Sequence, residues 1–480
     1  MVFDVASVTI TETQFKRENV NGLAPFETGK IPEQYKNFYT PDEAKQLIDL
    51  GIEKRMKAKI SDHYRQLCEN STPLQNLIKA RANEVADLSG EADPSNQLSY
   101  SPVPGLLHKY ELVLLYAAMT CSAHCRYCYR LDLFSGKTGK GLVKPEEAAK
   151  YVREYNEKVR AGIAVDNDGN QKFPIREALL SGGDPMVLSN KKLFEYMATL
   201  ADAGVRIIRI GTKELAFFPD RFDAHFFDML DKFHANFPRT SLAFMVHFTH
   251  PDEFLIKDEK GNYIEEHNGR FRWIEQTAYA VTELNKRSFV SMENQTPIIF
   301  EVNDDADALR LMQKELRSRK IRNHYFFQCR EIEGHKAFAV PVEESWKIHN
   351  ESQKGLSGIE KSRFAMSTEW GKMEVMSVMD APDFAKITAG IPADAAKVVE
   401  ELFGEGLIFM KMLRSPHGAE TQGQLIIAKR NPNALWISGY EDRIIYDGRK
   451  PEGQKYEGLA GMLAGLFGTA MANERELEAA

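Results

Sequence analysis

LVLLYAAMTCSAHCRYC, residues 112–128, joins an apolar run of strand length to three of the chain's five cysteines. The run LVLLYAAM (112–119) has the uninterrupted apolar character of a strand that is buried on both faces. Cys121, Cys125 and Cys128 follow it directly, with the spacing C-x3-C-x2-C. Barrels built from such strands carry their functional side chains on the loops after the carboxyl ends of the strands. The stretch therefore predicts a strand that leads into a thiol-bearing site.

Further strand-like runs alternate with helical patterns after residue 106. The predicted strands cover 176–180, 205–211, 241–248, 297–302 and 324–329, and the predicted helices cover 145–160, 190–203 and 305–319. Continuous apolar strands that alternate with amphipathic helices indicate a parallel sheet covered on both faces. Six such units predict an α/β fold, specifically a partial (β/α)6 barrel. The predicted domains are an N-terminal helical extension (1–105), the barrel (106–340) and a C-terminal region of mixed strands and helices (341–480).

Composition and charge limit the possible partners and compartments. The chain has 480 residues, 27% of them charged, and a formal net charge of −7. This mild acidity gives no support for a nucleic acid or an anionic membrane as a partner. No signal peptide and no membrane-spanning run are predicted. We expect a cytoplasmic protein with reduced thiols, so that clustered cysteines should bind a metal rather than form disulfides.

The three clustered cysteines suit an iron–sulfur cluster. Thiolates are the usual ligands of a [4Fe–4S] cluster, which normally takes four of them. Three protein ligands would leave one iron open to a substrate or cofactor. Structural zinc is the alternative, but it requires a fourth ligand, and His124 inside the loop is badly placed to supply it. Cys68 and Cys329 are isolated in sequence and are expected to be small buried apolar side chains.

The motif C-x3-C-x-aromatic-C, with Tyr127 as its aromatic residue, resembles the signature of the radical S-adenosylmethionine enzymes. SGGDP (181–185), after the second predicted strand, is similar to the glycine-rich turn of that superfamily. The resemblance implies that S-adenosylmethionine binds the open iron, that Tyr127 lies against its adenine, and that cleavage yields a 5′-deoxyadenosyl radical. The residues that this turn is expected to contribute to the S-adenosylmethionine site are Ser181, Gly182, Gly183 and Asp184.

Longer stretches are similar to the lysine 2,3-aminomutase family, in that family's order. They are HKYELVLLYAAMTCSAHCRYCYR (108–130), ALLSGGDPM (178–186), IRIGTKELAFFPDRF (208–222), VHFTHPDEF (246–254), NQTPIIFEVNDDAD (294–307) and HYFFQCR (324–330). The resemblance implies an amino acid 2,3-aminomutase, an isomerase that moves an α-amino group to the β-carbon. It also implies that His250 and Gln295 contact S-adenosylmethionine. Arg130 would pair with the substrate carboxylate, a task that suits a planar guanidinium.

The family also uses pyridoxal phosphate, which needs a lysine for its resting Schiff base. The best match is Lys372, directly after Gly371 and followed by an insertion. A competing alignment reaches SPHGAETQG (415–423), which contains no lysine. Lys109 matches one of two basic positions for the cofactor phosphate. The second basic position corresponds to Leu112 or Val113, so phosphate binding should differ in detail.

Two departures from the family pattern bear on the substrate. Lysine-specific members hold the substrate's terminal ammonium with two aspartates, and one of these positions is Arg330 here. The other aspartate is also missing, although Glu369 is nearby. Because an arginine would repel an ammonium, we expect an acidic substrate such as glutamate or aspartate. The C-terminal cysteines that bind structural zinc in some relatives are absent.

The resemblance further implies a small amino acid substrate, an external one-electron reductant of the flavodoxin or ferredoxin type, and a homo-oligomer. An apolar stripe with helical spacing near the C-terminus would suit subunit contacts; it comprises Leu459, Met462, Leu463, Leu466 and Phe467. Two other functions stay open. One is a radical S-adenosylmethionine enzyme without pyridoxal phosphate, acting in epimerisation, dehydrogenation or peptide modification. The other is a non-catalytic iron–sulfur protein.

Overall fold

The computed structural model describes residues 3–14, 19–21, 38–130, 141–165, 172–267, 269–381, 403–416 and 419–461, with single positions between 390 and 400. Its helices, numbered here in chain order, are α1 Pro41–Asp49, α2 Ile52–Arg55, α3 Asp62–Cys68, α4 Thr72–Ile78, α5 Asn83–Ala86, α6 Pro145–Arg160, α7 Asn190–Asp202, α8 Glu214–Phe217, α9 Ala224–Asn236, α10 Glu275–Asn285, α11 Ala306–Ser318 and α12 Val342–Ser352.

The strands of the described residues are β1 Asn19–Asn21, β2 Lys59–Ser61, β3 Leu106–Lys109, β4 Leu112–Ala118, β5 Glu177–Gly182, β6 Ile207–Thr212, β7 Ser241–Val246, β8 Glu265–Glu266, β9 Arg270–Phe271, β10 Val290–Ile298, β11 Ile321–Gln328, β12 Arg363–Thr368, β13 Gly371–Met379, β14 Leu407–Arg414, β15 Leu425–Lys429 and β16 Ile444–Asp447.

One large sheet organises the molecule. Its strand order is β16-β15-β14-β13-β12-β11-β10-β7-β6-β5-β4-β3. The strands from β4 to β12 pair in parallel and stand in the order of the sequence, with helices on the connections between them. Strand β3 pairs antiparallel at one side, and β13 to β16 continue antiparallel at the other. The expected mixed α/β fold with a mostly parallel sheet is therefore confirmed.

Most predicted elements match, and one does not. The predicted helices at 145–160, 190–203 and 305–319 are confirmed by α6, α7 and α11. The strand predicted at 297–302 is wrong in position, because β10 ends at Ile298. Its residues, VSMENQTPI, alternate between buried and partly exposed positions and so lack a continuous apolar run. The charged segment at 256–273 contains the short antiparallel pair of β8 and β9.

The two sides of the sheet approach each other. Arg414, at the end of β14, donates a hydrogen bond to Glu111, which lies between β3 and β4. Its guanidinium also lies 4.8 Å from the ring centre of Tyr110. Lys109 on β3 and Lys372 on β13 line one cavity. In a flat sheet, with ~4.8 Å between neighbouring strands, β3 and β13 would stand roughly 40 Å apart. The sheet therefore curves until its sides meet.

The N-terminal helices share one hydrophobic core with the sheet. The parallel part of the sheet continues beyond residue 340, to Thr368, and the domain division at 105 and 340 stays a prediction. Among the described residues, no helix has the length and apolar character needed to cross a membrane. Most of the C-terminal apolar stripe, from Met462 onward, lies outside the described residues.

Candidate active site

The three clustered cysteines lie in the loop after β4, the location that the sequence predicted. No disulfide joins any of the five cysteines. Burial raises the pKa of the Cys121 thiol well above its usual value, and charge on Cys128 and Cys125 adds to the effect. Burial likewise raises the pKa of Cys125 to about 12, with Cys128 again contributing. Three mutually interacting, partly buried thiols with raised pKa values ionise more readily beside positive charge, which cluster iron would supply. The set therefore fits an iron–sulfur cluster.

Among the described residues, no three His, Cys, Asp or Glu side chains are grouped closely enough to bind a single metal ion. A cubane cluster requires no such grouping, because each thiolate binds a different iron.

Arg126, between Cys125 and Cys128, anchors the cysteine loop to the N-terminal helices. Its side chain is 0% exposed and that of Glu84 is 1% exposed. The Arg126 guanidinium donates to both carboxylate oxygens of Glu84, at 2.7–3.2 Å, and to the Met56 carbonyl at 2.9 Å. The Arg126 backbone N–H donates to the Leu77 carbonyl at 2.9 Å. The extension thus holds the loop at a point between two thiols.

Two other residues of the loop, His124 and Ser122, are also held by hydrogen bonds to neighbouring segments. The His124 backbone N–H donates to the Lys59 carbonyl, and its ring Nδ1 lies 2.8 Å from the Lys57 carbonyl. Burial lowers the pKa of His124 to about 4. Ser122 donates through its hydroxyl and its backbone N–H to Glu214 on α8. The His124 ring is therefore fixed against the N-terminal region, where it cannot complete a zinc tetrahedron with its neighbouring cysteines.

The glycine turn after β5 packs directly on the cysteine loop. A Cβ on Gly183 would lie 2.3 Å from the Thr120 carbonyl oxygen, so only glycine permits this approach. Gly182 has a φ of +103°, a backbone conformation that favours glycine at this position too. The Asp184 N–H donates to the Thr120 carbonyl at 2.9 Å. Ser181, at the end of β5, is buried.

Asp184 ties this turn to the next strand. Its carboxylate accepts from the Met186 N–H, the Thr212 hydroxyl and the Lys213 N–H at 2.7–2.9 Å. Burial, with the charge of Glu214, raises the pKa of Asp184 to about 7. Asp184 therefore shapes the predicted S-adenosylmethionine turn from within the protein.

Tyr127 begins a polar network that brings the other predicted S-adenosylmethionine residues near the loop. Its hydroxyl lies 2.8 Å from Nε2 of His247 and 3.1 Å from Oγ1 of Thr249. The Thr296 hydroxyl donates to Thr249 Oγ1 at 3.4 Å. His250 and Gln295 are the chain neighbours of Thr249 and Thr296.

The His250 ring itself is engaged locally. Its Nδ1 accepts from the Asp252 N–H at 3.2 Å, at the start of the 3-10 turn Pro251–Glu253. Gln295 lies at a register shift in β10 and is half-buried.

Arg130 and Arg330 both stack on Tyr129, the residue after the last cysteine. Their guanidinium carbons lie 4.8 Å and 4.3 Å from its ring centre. Arg130 also lies 5.2 Å from the Tyr116 ring centre, and its Nη1 is buried without a hydrogen-bond partner. Burial lowers the pKa of Arg330, and the charge of Arg130 lowers it further. Two repelling cations beside an unpartnered N–H form a site that would bind an anion.

Lys372 is the second residue of β13, directly after Gly371. It lines a cavity with Arg330 and Lys109. Its ammonium nitrogen lies 4.2 Å from the Tyr325 ring centre and 5.1 Å from that of Phe327. Burial lowers the pKa of Lys372 to about 7, assisted by the charges of Arg414, Arg209 and Arg330. A substantial fraction of the amine is therefore uncharged and nucleophilic near neutral pH.

Lys109 faces the same cavity, where its nitrogen lies 5.0 Å from the Tyr100 ring centre. Burial lowers the pKa of Lys109 to about 8, with Arg330 as a further cause. A cavity that holds a nucleophilic lysine among other cations fits an anionic aldehyde such as pyridoxal phosphate. The competing segment that begins at Ser415 adjoins the same place, because a Cβ on Gly371 would lie 3.1 Å from the Ser415 Cα.

Several functional contacts escaped the sequence analysis. Glu84 and Glu214 anchor the cysteine loop, and Arg414 places a further positive charge near Lys372. The only local signal was the arginine inside the motif, since a buried charge requires a partner.

Comparison with known proteins places the chain among aminomutases. A protein of Aquifex aeolicus, provisionally named an L-lysine 2,3-aminomutase, is 28% identical over 377 residues, 78% of this chain and 83% of that protein. The L-lysine 2,3-aminomutase of Clostridium subterminale is 26% identical over 326 residues, 64% of this chain and 68% of that protein. The glutamate 2,3-aminomutase of Clostridioides difficile is 23% identical over 315 residues, 64% of each chain.

No family model matches the chain. The three relatives nevertheless match between 64% and 78% of this chain, and all of them are aminomutases by name. The predicted resemblance is thereby confirmed: at 23–28% identity, the relatives support a divergent member of the lysine 2,3-aminomutase family and an enzyme of that kind.

Proposed function

We propose that the chain is a radical S-adenosylmethionine, pyridoxal-phosphate-dependent 2,3-aminomutase that acts on an acidic amino acid, glutamate or aspartate. The observation that carries the proposal is the pair of arginines on the Tyr129 ring. Arg130 and Arg330 contact aromatic rings in place of carboxylates, and one Arg130 nitrogen is buried without a partner. A substrate with two carboxylates would neutralise both guanidinium groups.

Each arginine has a separate task in this proposal. Arg130, beside the cysteine loop, would hold the α-carboxylate, and Arg330 would hold the side-chain carboxylate. Two charge-assisted contacts fix the substrate at both ends, which orients its β-carbon. A substrate with a terminal ammonium would be repelled by Arg330. The similarity to a glutamate 2,3-aminomutase also supports an acidic substrate.

Lys372 and Lys109 would hold the cofactor. Pyridoxal phosphate bound at Lys372 would supply an electron sink for the migrating amino group. The Lys372 amine, kept uncharged by burial and by neighbouring cations, would form the covalent link to the cofactor aldehyde. Lys109 would contact the phosphate, and Arg414, which pairs with Lys372 across neighbouring strands, provides further positive charge. The aromatic walls made by Tyr325 and Phe327 would limit the access of water to the Lys372 amine.

The cysteine loop would provide the radical chemistry. A [4Fe–4S] cluster on Cys121, Cys125 and Cys128, with S-adenosylmethionine on its open iron, would supply the 5′-deoxyadenosyl radical. Tyr127, the turn Ser181–Asp184, His250 and Gln295 would surround S-adenosylmethionine. We also propose that the curved sheet is a partial (β/α)6 barrel, as the contacts between its two sides favour. An external flavodoxin- or ferredoxin-type reductant, a homo-oligomer and a cytoplasmic location belong to the same proposal.

Borohydride reduction of the protein with pyridoxal phosphate tests the assignment most directly. Reduction makes the lysine–cofactor link permanent, and mass mapping then identifies the modified residue. We expect one phosphopyridoxyl group per chain, on Lys372. The Lys372→Ala variant should lose the label and about a thousandfold or more in activity with glutamate, corresponding to ~4 kcal/mol of barrier.

Lys361→Ala is the matched control, because Lys361 is exposed and lies close to Lys372 in sequence. It should keep both the label and the activity. Labelling scattered over surface lysines, with none enriched at Lys372, would contradict the pyridoxal phosphate assignment. Release of 5′-deoxyadenosine without any label would then favour the alternative without pyridoxal phosphate.

A further inference from the structure

A second cavity lies on the other side of Arg330. It has a volume of about 380 Å³ and opens to solvent. Its lining residues include Arg330, Glu331, His335, Asn433 and Ser438. Because Arg330 also lines the Lys372 cavity, the same residue borders both spaces.

His335 is a buried polar side chain without a partner at the wall of this second cavity. It is 1% exposed, and neither ring nitrogen has a hydrogen-bond partner. Burial, with the charges of Arg55 and Arg126, lowers its pKa to about 3, so the ring is neutral at physiological pH. A neutral imidazole offers one N–H donor and one acceptor. Buried polar groups are nearly always satisfied, so this ring calls for a ligand or water.

The charged groups of the cavity are complementary to a zwitterion. The Arg330 guanidinium contacts the Tyr129 ring, and Arg330 lines the cavity. Lys336, a further cation of the lining, is already paired with Asp87 at 2.9 Å. The neighbouring Glu331 carboxylate accepts a hydrogen bond from the Ser438 hydroxyl at 2.7 Å, and among the described residues it has no ion-pair partner. An inorganic anion would use only the guanidinium. A free amino acid would use both groups, its carboxylate at Arg330 and its ammonium at Glu331.

We propose that the second cavity binds the free amino acid substrate before it reaches Lys372. Glu331 receives the ammonium, Arg330 receives a carboxylate, and His335 donates or accepts a further hydrogen bond. The proposal rests on the proposed function, because it identifies the substrate of that enzyme. It assigns Arg330 two successive tasks, since the same residue lines both cavities.

The test uses two ligands that differ only in the ammonium group. The full chain, with pyridoxal phosphate reduced onto Lys372, is titrated with radiolabelled glutamate and with glutarate by equilibrium dialysis. Reduction prevents the amino group from reacting with the cofactor. Glutamate should bind at least tenfold more tightly than glutarate. Glu331→Gln should reduce that preference to twofold or less, and His335→Gln should weaken the binding of both ligands about threefold.

Glu344→Gln, at an exposed position of α12, is the matched control and should keep the preference. Equal binding of glutamate and glutarate would overturn the proposal, as would a preference that survives Glu331→Gln. Displacement of both ligands by equimolar inorganic phosphate would identify a general anion site and would also overturn it. If Lys372 takes up no pyridoxal phosphate, the same titration on the unlabelled chain still shows whether the cavity binds the amino acid. Failure of the proposed function can therefore be distinguished from failure of this inference.

Discussion

Arg126 and Arg130 are four residues apart in the same loop and both are buried, yet their surroundings are opposite. Arg126 has two carboxylate oxygens and a carbonyl as acceptors. Arg130 has two aromatic rings, a tyrosine hydroxyl and one nitrogen without any acceptor. A buried ion pair with every donor satisfied serves the architecture, whereas a buried cation without an anion indicates a missing ligand. One loop thus contains an anchor, Arg126, and the group that we propose binds the substrate carboxylate, Arg130.

The anchor can be broken by Glu84→Gln, which should cause the largest effect on stability. The substitution leaves Arg126 as a buried charge without a counter-charge, and Arg55, 3.5 Å from Glu84, loses the same partner. The free energy of unfolding should fall by about 3–5 kcal/mol, measured by urea denaturation. The iron content of the purified protein should fall as well.

Glu344→Gln provides the control for that experiment. It removes an exposed carboxylate that lies 3.7 Å from Lys347 and should change the unfolding free energy by less than about 0.5 kcal/mol. A loss for Glu84→Gln no larger than that of the control would show that the Arg126 pair does not anchor the loop.

The proposed carboxylate site, formed by Arg130 and Arg330, can be tested by Arg330→Gln. This substitution should change activity and stability independently. The specificity constant kcat/KM for glutamate should fall about a hundredfold, because a buried carboxylate contact of about 2–5 kcal/mol is lost. The unfolding free energy should stay the same or rise, because the repulsion between Arg330 and Arg130 disappears.

Arg363→Gln is the control for a cation of the same sheet, since its side chain is 58% exposed and 3.9 Å from Glu374. It should leave kcat/KM unchanged. Full activity of Arg330→Gln with glutamate would remove the basis for an acidic substrate.

The pH dependence of Lys372 labelling sharpens the comparison further, with a smaller effect. The pKa of Lys372 is about 7, so the yield of labelling in a fixed short time should rise as the pH increases through about 7. Arg209→Gln removes one of the cations that lower this pKa. The protonated amine is then less disfavoured, so the midpoint should move upward by up to about one pH unit.

Mass mapping after brief borohydride reduction across a pH series gives this midpoint. Arg363→Gln again serves as the control and should leave it in place, because Arg363 is not among the causes of the Lys372 shift. A downward displacement by Arg209→Gln would contradict the electrostatic account.

The parts of the fold that were predictable depend on local pattern. Helix α6 was predicted from its amphipathic pattern and strand β4 from its apolar run, and the cysteines follow β4 in sequence. Strand β10 was placed too late because one of its faces is polar and only partly buried, so its sequence lacks the apolar run of a strand buried on both faces.

The parts that escaped prediction depend on contacts between distant residues. Glu84 meets Arg126 across 42 residues, and Arg414 meets Glu111 across 303 residues. Neither partner carries a local signal, because a lone glutamate or arginine is most often a solvated surface residue. The resemblance to the family supplied Lys372 and Arg130, whereas the cationic surroundings of both residues became visible only in three dimensions.

The Glu84–Arg126 contact also limits which chimeras between this enzyme and its relatives can be stable. A chain that begins at residue 106 would retain all three cluster cysteines and all the parallel strands, yet it would lack the carboxylate and the carbonyls that hold Arg126. The N-terminal helices and the cysteine motif therefore depend on each other structurally and should be exchanged between relatives together. A chimera that joins the sheet of this chain to the N-terminal region of a relative should retain a stable cysteine loop only where that relative places an acidic side chain at the position of Glu84.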